Sequence, residues 1–116
     1  MAVHGSIRAY KEWTRVLFNQ KKPSPEEINE ILMAAESGNL EVFERLYYAE
    51  PTRLGIRDSR GRTPAHQAAA RNKVNILKFI LEKGGDLNNQ DNAGNTPLHI
   101  AVEYESLDAV DYLLQM

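Results

Sequence analysis

Side chains able to do chemistry are few in this chain, and their spacing says more than their identity. Three histidines are present, His4, His66 and His99, and there is no cysteine. That removes thiolate metal sites, thiol nucleophiles and disulfides, and it leaves the redox compartment undecided. Asp58, Ser59 and His66 carry the residue types of a hydrolytic triad. All three, however, sit in one short motif, DSRGRTPAH at 58–66, which returns as DNAGNTPLH at 91–99. A repeated turn accounts for them without catalysis. His66 and His99 occupy equivalent columns 33 residues apart. Stacked helical units would hold them about 8–10 Å from each other, too far for one zinc with bonds of about 2 Å. Each imidazole is instead expected to hydrogen-bond the nearby threonine and turn backbone. His4 has no neighbouring ligand motif, and no glycine-rich phosphate loop is present. No catalytic residue, metal site or cofactor is therefore expected.

The elements that position these residues are set by the same motif. Thr63 and Thr96 stand where a hydroxyl caps the free N–H groups of a helix start, and Pro64 and Pro97 come next at the first helical position, where a missing N–H costs nothing. Gly61 and Gly94 lie in the preceding turn. Ala68, Ala69 and Ala101 keep the first helix thin, and Ile76, Leu77, Ile80 and Leu81 supply an i, i+1, i+4, i+5 apolar stripe for a second helix that Gly84 ends.

A 33-residue period built on D-x-x-G-x-T-P-x-H is the signature of a helix-turn-helix unit that stacks on copies of itself. These motifs resemble the ankyrin repeat family. The resemblance implies an all-α solenoid of helix-turn-helix repeats joined by β-hairpin or turn connections, with Thr63, Pro64, His66, Thr96, Pro97 and His99 as its structural motif residues. A degenerate copy precedes the two clear ones, in the register Ile31-Leu32-x-Ala34-Ala35-x-x-Gly38, with Ser24-Pro25-Glu26-Glu27 as a capping box upstream. Gly38 to Asn72 spans 34 residues, one more than the later period. The expected organisation is a basic leader at 1–23, a capping repeat at 24–57, a repeat at 58–90 and a repeat at 91–116 truncated at its C-terminal end. No polar capping unit comes after Leu113-Leu114, so the chain reads as a fragment of a longer array.

Charge is unevenly placed. Residues 1–22 carry five cations against Glu12, a balance of +4, while residues 23–116 carry −6. An acidic body argues against nucleic-acid binding. In the leader, Ile7, Tyr10, Trp13 and Leu17 recur at helical spacing with cations between them. Three roles fit that amphipathic pattern: a cap packed on the first repeat, a disordered segment, or contact of Arg8, Lys11, Trp13 and Arg15 with an anionic lipid surface or a partner. The longest apolar runs are too short for a membrane span or a signal-peptide core.

Binding is the function left. Ankyrin stacks use hairpin tips and the exposed side of the first helices, which here carry Arg60, Arg62, Ala70 and Arg71, then Asn95 and Tyr104. With Arg57 nearby, these form a local basic patch suited to a carboxylate-rich protein segment or a phosphate, with Tyr104 as an amphipathic anchor. A solvated charged surface is the plainer alternative.

The strings Ala34-Ala35-Glu36-Ser37-Gly38-Asn39, His66-Gln67-Ala68-Ala69-Ala70-Arg71-Asn72 and Asp91 to Glu103 are similar to the first repeats of the insect ankyrin-type transient receptor potential channels. That resemblance implies a parent that is a homotetrameric, calcium-permeable, non-selective cation channel of sensory neurons, opened by heat or irritants. This segment would lie in the cytosol, at the plasma membrane, and contact protein partners or other parts of the channel. The competing reading is a free-standing cytoplasmic adaptor or inhibitor, and the residues encoded after Met116 would separate the two.

Overall fold

The computed structural model describes residues 23–116. The amphipathic helix expected in the leader, and the contacts expected of Arg8, Lys11, Trp13 and Arg15, lie outside the described residues. The described part is all-helical: α1 (Pro25–Ser37), α2 (Leu40–Ala49), a 3₁₀ turn (Pro51–Gly55), α3 (Pro64–Ala70), α4 (Val74–Glu82), α5 (Pro97–Glu103) and α6 (Leu107–Leu114). The helices form three antiparallel pairs, α1–α2, α3–α4 and α5–α6. The first helices stack as one layer and the second helices as another. The connections between pairs are turns, and no strand forms among the described residues.

Helices start at the residues expected to start them. Ser24 Oγ accepts from Glu27 N at 3.2 Å, with Pro25 at the first helical position. Thr63 and Thr96 cap α3 and α5 ahead of Pro64 and Pro97. In these two helices the box is reciprocal, because the imidazole three residues on returns to the backbone N–H of the capping threonine. Histidine thus fills the place that Glu or Gln takes in the usual capping box.

Three residues mark the same bend between the helices of each pair. Gly38, Asn72 and Glu105 have φ of 72°, 61° and 55°, a left-handed conformation that disfavours side chains with a Cβ. Their spacing reproduces the single extra residue in the first copy.

Backbones approach more closely between the first helices than between the second, and alanine is the reason: Ala35, Ala68, Ala69 and Ala101 are fully buried there. Bulk enters between the second helices. Phe79 meets the Phe43 ring edge-on at 5.8 Å and the Tyr47 ring at 5.4 Å, a favourable geometry worth about 0.5–1.5 kcal/mol beyond area burial. The buried stripe of α4 is Ile76, Leu77, Phe79 and Ile80. Leu81, expected inside, is instead 40% exposed. The i, i+1, i+4, i+5 pattern describes one helix against one neighbour, whereas α4 is sandwiched and also turns Phe79 toward the preceding pair.

Candidate interaction surface

Two nearly identical turns build the tips that precede α3 and α5. Asp58 Oδ1 accepts from the backbone N–H of Arg60 (2.8 Å) and Arg62 (3.0 Å). Asp91 Oδ1 accepts in the same way from Ala93 (2.9 Å) and Asn95 (2.8 Å). Asp91 is buried, which alone would raise its pKa, but the two N–H groups outweigh burial and hold it below the usual carboxylate value. Gly61 is needed at its turn twice over: φ is +76°, and a Cβ there would collide with the side-chain amide of Asn92 in the next turn.

The tips are laced together by bonds between residues about one repeat apart. Asn92 N donates to Arg60 O at 2.8 Å, and Asn92 Nδ2 donates to Ser59 O at 3.0 Å. Arg57 Nη1 bridges Gly61 O (2.9 Å) and Gln90 O (2.7 Å). Arg62 Nε lies 3.5 Å from Asp91 Oδ2, an ion pair without a hydrogen bond at that nitrogen. Burial lowers the affinity of Arg62 for its proton, yet the neighbouring Tyr104 side chain and the carboxylates of Asp91 and Asp58 raise it further, so its charge is secure.

His66 is the most consequential of these links. Its Nδ1 faces the backbone N–H of Thr63 at 3.1 Å and must therefore accept. The proton then sits on Nε2, which donates to Asn95 O at 2.7 Å in the next turn. One neutral ring thus caps its own helix and clamps the following repeat. Burial is the main reason its pKa lies below the ordinary histidine value, and Arg62 and Arg57 add to it against the opposing pull of Asn95 O and Asp91. His99 makes the same contacts to Thr96, but its ring is exposed. The two rings serve separate turns, and no cluster of three or more potential ligands forms among the described residues.

A second set of links joins the bends. Asn72 Oδ1 accepts from Ala109 N at 2.8 Å, so it caps α6 from the preceding pair, while its Nδ2 donates to Asp108 Oδ2 at 3.1 Å. Ser106 Oγ donates to Ala70 O at 2.9 Å. These roles escaped sequence reasoning, although an asparagine at a bend where a left-handed residue is required was a usable signal.

Among the expected contact residues, Arg60 and Arg71 are exposed and Tyr104 is 48% exposed. Arg62 differs: it is half-buried and committed to Asp91, so it belongs to the join between repeats. Asn95 is half-buried and spends its carbonyl on His66 and its N–H on Asp91. Ala70, expected at the surface, is buried. Arg57 is likewise engaged by two carbonyls. Within the expected patch, the exposed cations not engaged in this way therefore contract to Arg60 and Arg71, of which Arg60 lines a shallow groove of about 380 Å³ with Ser59, Arg62, Asp91, Asn92 and Ala93.

Stacked pairs, capped turns and clamps at one-repeat spacing define a repeat protein that offers a surface rather than an enclosed site. Residues 31–116 match the family model described as ankyrin repeats in three copies, and the chain belongs to the ankyrin repeat family. It is 55% identical over 88 residues, 76% of its length, to transient receptor potential cation channel subfamily A member 1 of Drosophila melanogaster. It is also similar to NF-kappa-B inhibitor alpha of Gallus gallus, 39% over 62 residues or 53% of the chain, and to serine/threonine-protein kinase VIK of Arabidopsis thaliana, 37% over 68 residues or 59% of the chain. The matched part covers 7%, 20% and 16% of these relatives respectively. A channel, an inhibitor and a kinase thus share these helix pairs, which act as an interaction module and do not by themselves specify the activity of the whole protein. Among the described residues, no helix is long and apolar enough to cross a membrane.

Proposed function

We propose that these repeats are part of the cytosolic N-terminal array of a sensory, calcium-permeable, non-selective cation channel at the plasma membrane. There they act as a non-catalytic interaction and gating-modulation module within a homotetramer. The observation that carries this reading is the 55% identity over 88 residues with the Drosophila channel. That similarity extends through the degenerate first copy, which a generic repeat would not share. The exposed side chains of Arg60, Arg71 and Tyr104 supply the contact for an acidic segment of the channel or of a protein partner. The side chains of Arg60 and Arg71 make no hydrogen bond or ion pair among the described residues, whereas Arg57 and Arg62 are tied into the stack.

The test is expression of the complete reading frame that contains this chain, with membrane current and calcium entry recorded during heating and during exposure to an electrophile. Evoked cation current supports the channel. A reading frame without several apolar spans of about 20 residues, or one that yields no current, overturns it in favour of a cytoplasmic adaptor, the reading that the similarity to NF-kappa-B inhibitor alpha favours. In the channel, combined Arg60→Ala and Arg71→Ala is expected to shift the activation threshold while leaving the thermal unfolding of the repeats in place. An unchanged threshold removes the contact role.

A further inference from the structure

Residues 24–50 carry seven glutamates against the single cation Arg45; Glu26, Glu27 and Glu41 lie in first turns of α1 and α2, where the helix dipole favours an acid, and the other four do not. Glu26, Glu27, Glu30 and Glu41 are exposed, and none of the seven is ion-paired with another described residue. They accompany Met33, 61% exposed in the middle of α1. In the third pair the equivalent column holds Ile100, fully buried in the stack. Met33 therefore sits where a preceding element would pack, with Glu30 and Glu36 one turn to either side of it on α1 and Arg45 in the matching column of α2.

We propose that the occupant of this face is the chain's own basic leader, residues 1–22. Charge complementarity selects it. The leader's +4 is tethered directly to a segment that carries −6, so its effective concentration at the face is high without any bimolecular encounter. Arg8, Lys11 and Arg15 supply cations for Glu27, Glu30 and Glu41, and Trp13 supplies an apolar body for Met33. The same charge pattern works against contact with an anionic membrane, because docking the leader there brings the acidic pair within about a Debye length, 10 Å at 0.1 M salt, of like charge. This proposal is independent of the channel reading and holds equally for an adaptor.

Trp13 is the only tryptophan in the 116-residue chain, so its fluorescence reports the leader directly. In the complete chain, without lipid, Trp13 emission should be blue-shifted and protected from acrylamide relative to the urea-unfolded chain, and salt should erode that protection. Glu27→Lys, Glu30→Lys and Glu41→Lys together should abolish it while helicity by circular dichroism is kept, since all three side chains are exposed. Adding Lys11→Glu and Arg15→Glu to that variant should restore it. Protection that survives the glutamate reversal overturns the proposed face. Trp13 that is fully quenchable in the unmodified chain and becomes protected only on adding phosphatidylcholine vesicles containing phosphatidylserine overturns the proposal in favour of a membrane contact.

Discussion

At the N-terminal end of the stack, the column that packs toward a preceding pair holds Met33, where the second and third pairs hold Gln67 and Ile100. A second such column holds Arg45, where the later pairs hold Phe79 and Tyr112. Met33 and Arg45 are exposed, whereas Ile100 and Phe79 are buried. At the opposite end, the columns that pack toward a following pair keep their apolar character to the last copy. Val102 takes the place of buried Ala69 and is 58% exposed, and Leu114 is 66% exposed. His99 presents the ring that in His66 clamps the next turn. The first pair thus exposes Met33 and Arg45 in columns that a later pair buries, and the last pair exposes Val102 in a column that an earlier pair buries. A repeat fold has no intrinsic end, so each end must be specified by side chains at the stacking columns.

That contrast can be broken most severely in the column that changes character. Ile100→Ala should lower unfolding stability in urea by about 2–5 kcal/mol, while Met33→Ala, at the equivalent but exposed position of the first pair, should cost no more than about 1 kcal/mol, the part that contact with the leader contributes. Equal effects would mean that the first pair is not a surface-adapted end.

The two histidines give the next contrast. His66→Gln keeps a side chain able to complete the capping box but loses the bond to Asn95 O, so it should cost about 1–3 kcal/mol. The same change at exposed His99 should be nearly silent. The pH dependence has a definite sign. The folded-state pKa of His66 lies below the ordinary 6.5, so between those values the unfolded chain binds more protons. The stability that the neutral ring confers is thus present above pH 6.5 and is lost as pH falls toward the folded value. Asp91, held below its ordinary 3.8, adds a second loss at more acid pH. Melting temperature should therefore decline on acidification from pH 7 to 5 in the unmodified chain, and His66→Gln should flatten that decline while His99→Gln should not.

Asn72→Ala removes the cap that one pair places on the next and should cost about 1 kcal/mol, read from the same urea curves. Val102→Glu with Leu114→Lys should eliminate any concentration-dependent self-association seen by sedimentation, because the exposed apolar columns are at that end. A gain in stability instead of a loss is expected at Glu105, whose φ of 55° is unfavourable for a residue with a Cβ. Glu105→Gly should stabilise by about 0.5–1 kcal/mol, and no gain would mean that the bend is held open by contacts to the Glu105 side chain.

Much of the architecture was legible because it is built from local rules. Thr63-Pro64 and Thr96-Pro97 start helices through bonds to groups three residues away, and that information lies within a single motif. Gly38 and Asn72 marked the bends and so the register of the degenerate first copy. The candidate surface was less legible. Arg57, Arg60, Arg62 and Arg71 look alike in a string of residues, but Arg57 reaches Gln90, 33 residues away, and Arg62 reaches Asp91. Leu81 and Phe79 exchanged places for a similar reason, since a periodic stripe does not say how many neighbours a helix has.

The sequence by itself determined the repeat unit, its helices and its caps, because each depends on hydrogen bonds and dihedral preferences inside about four residues. It also determined the charge division between leader and body. Only the tertiary structure decided which cations are spent on holding repeats together and that one imidazole clamps the next turn while its twin does not. Those outcomes depend on contacts between residues one period apart, and identical motifs acquire different roles according to whether a neighbour is packed against them.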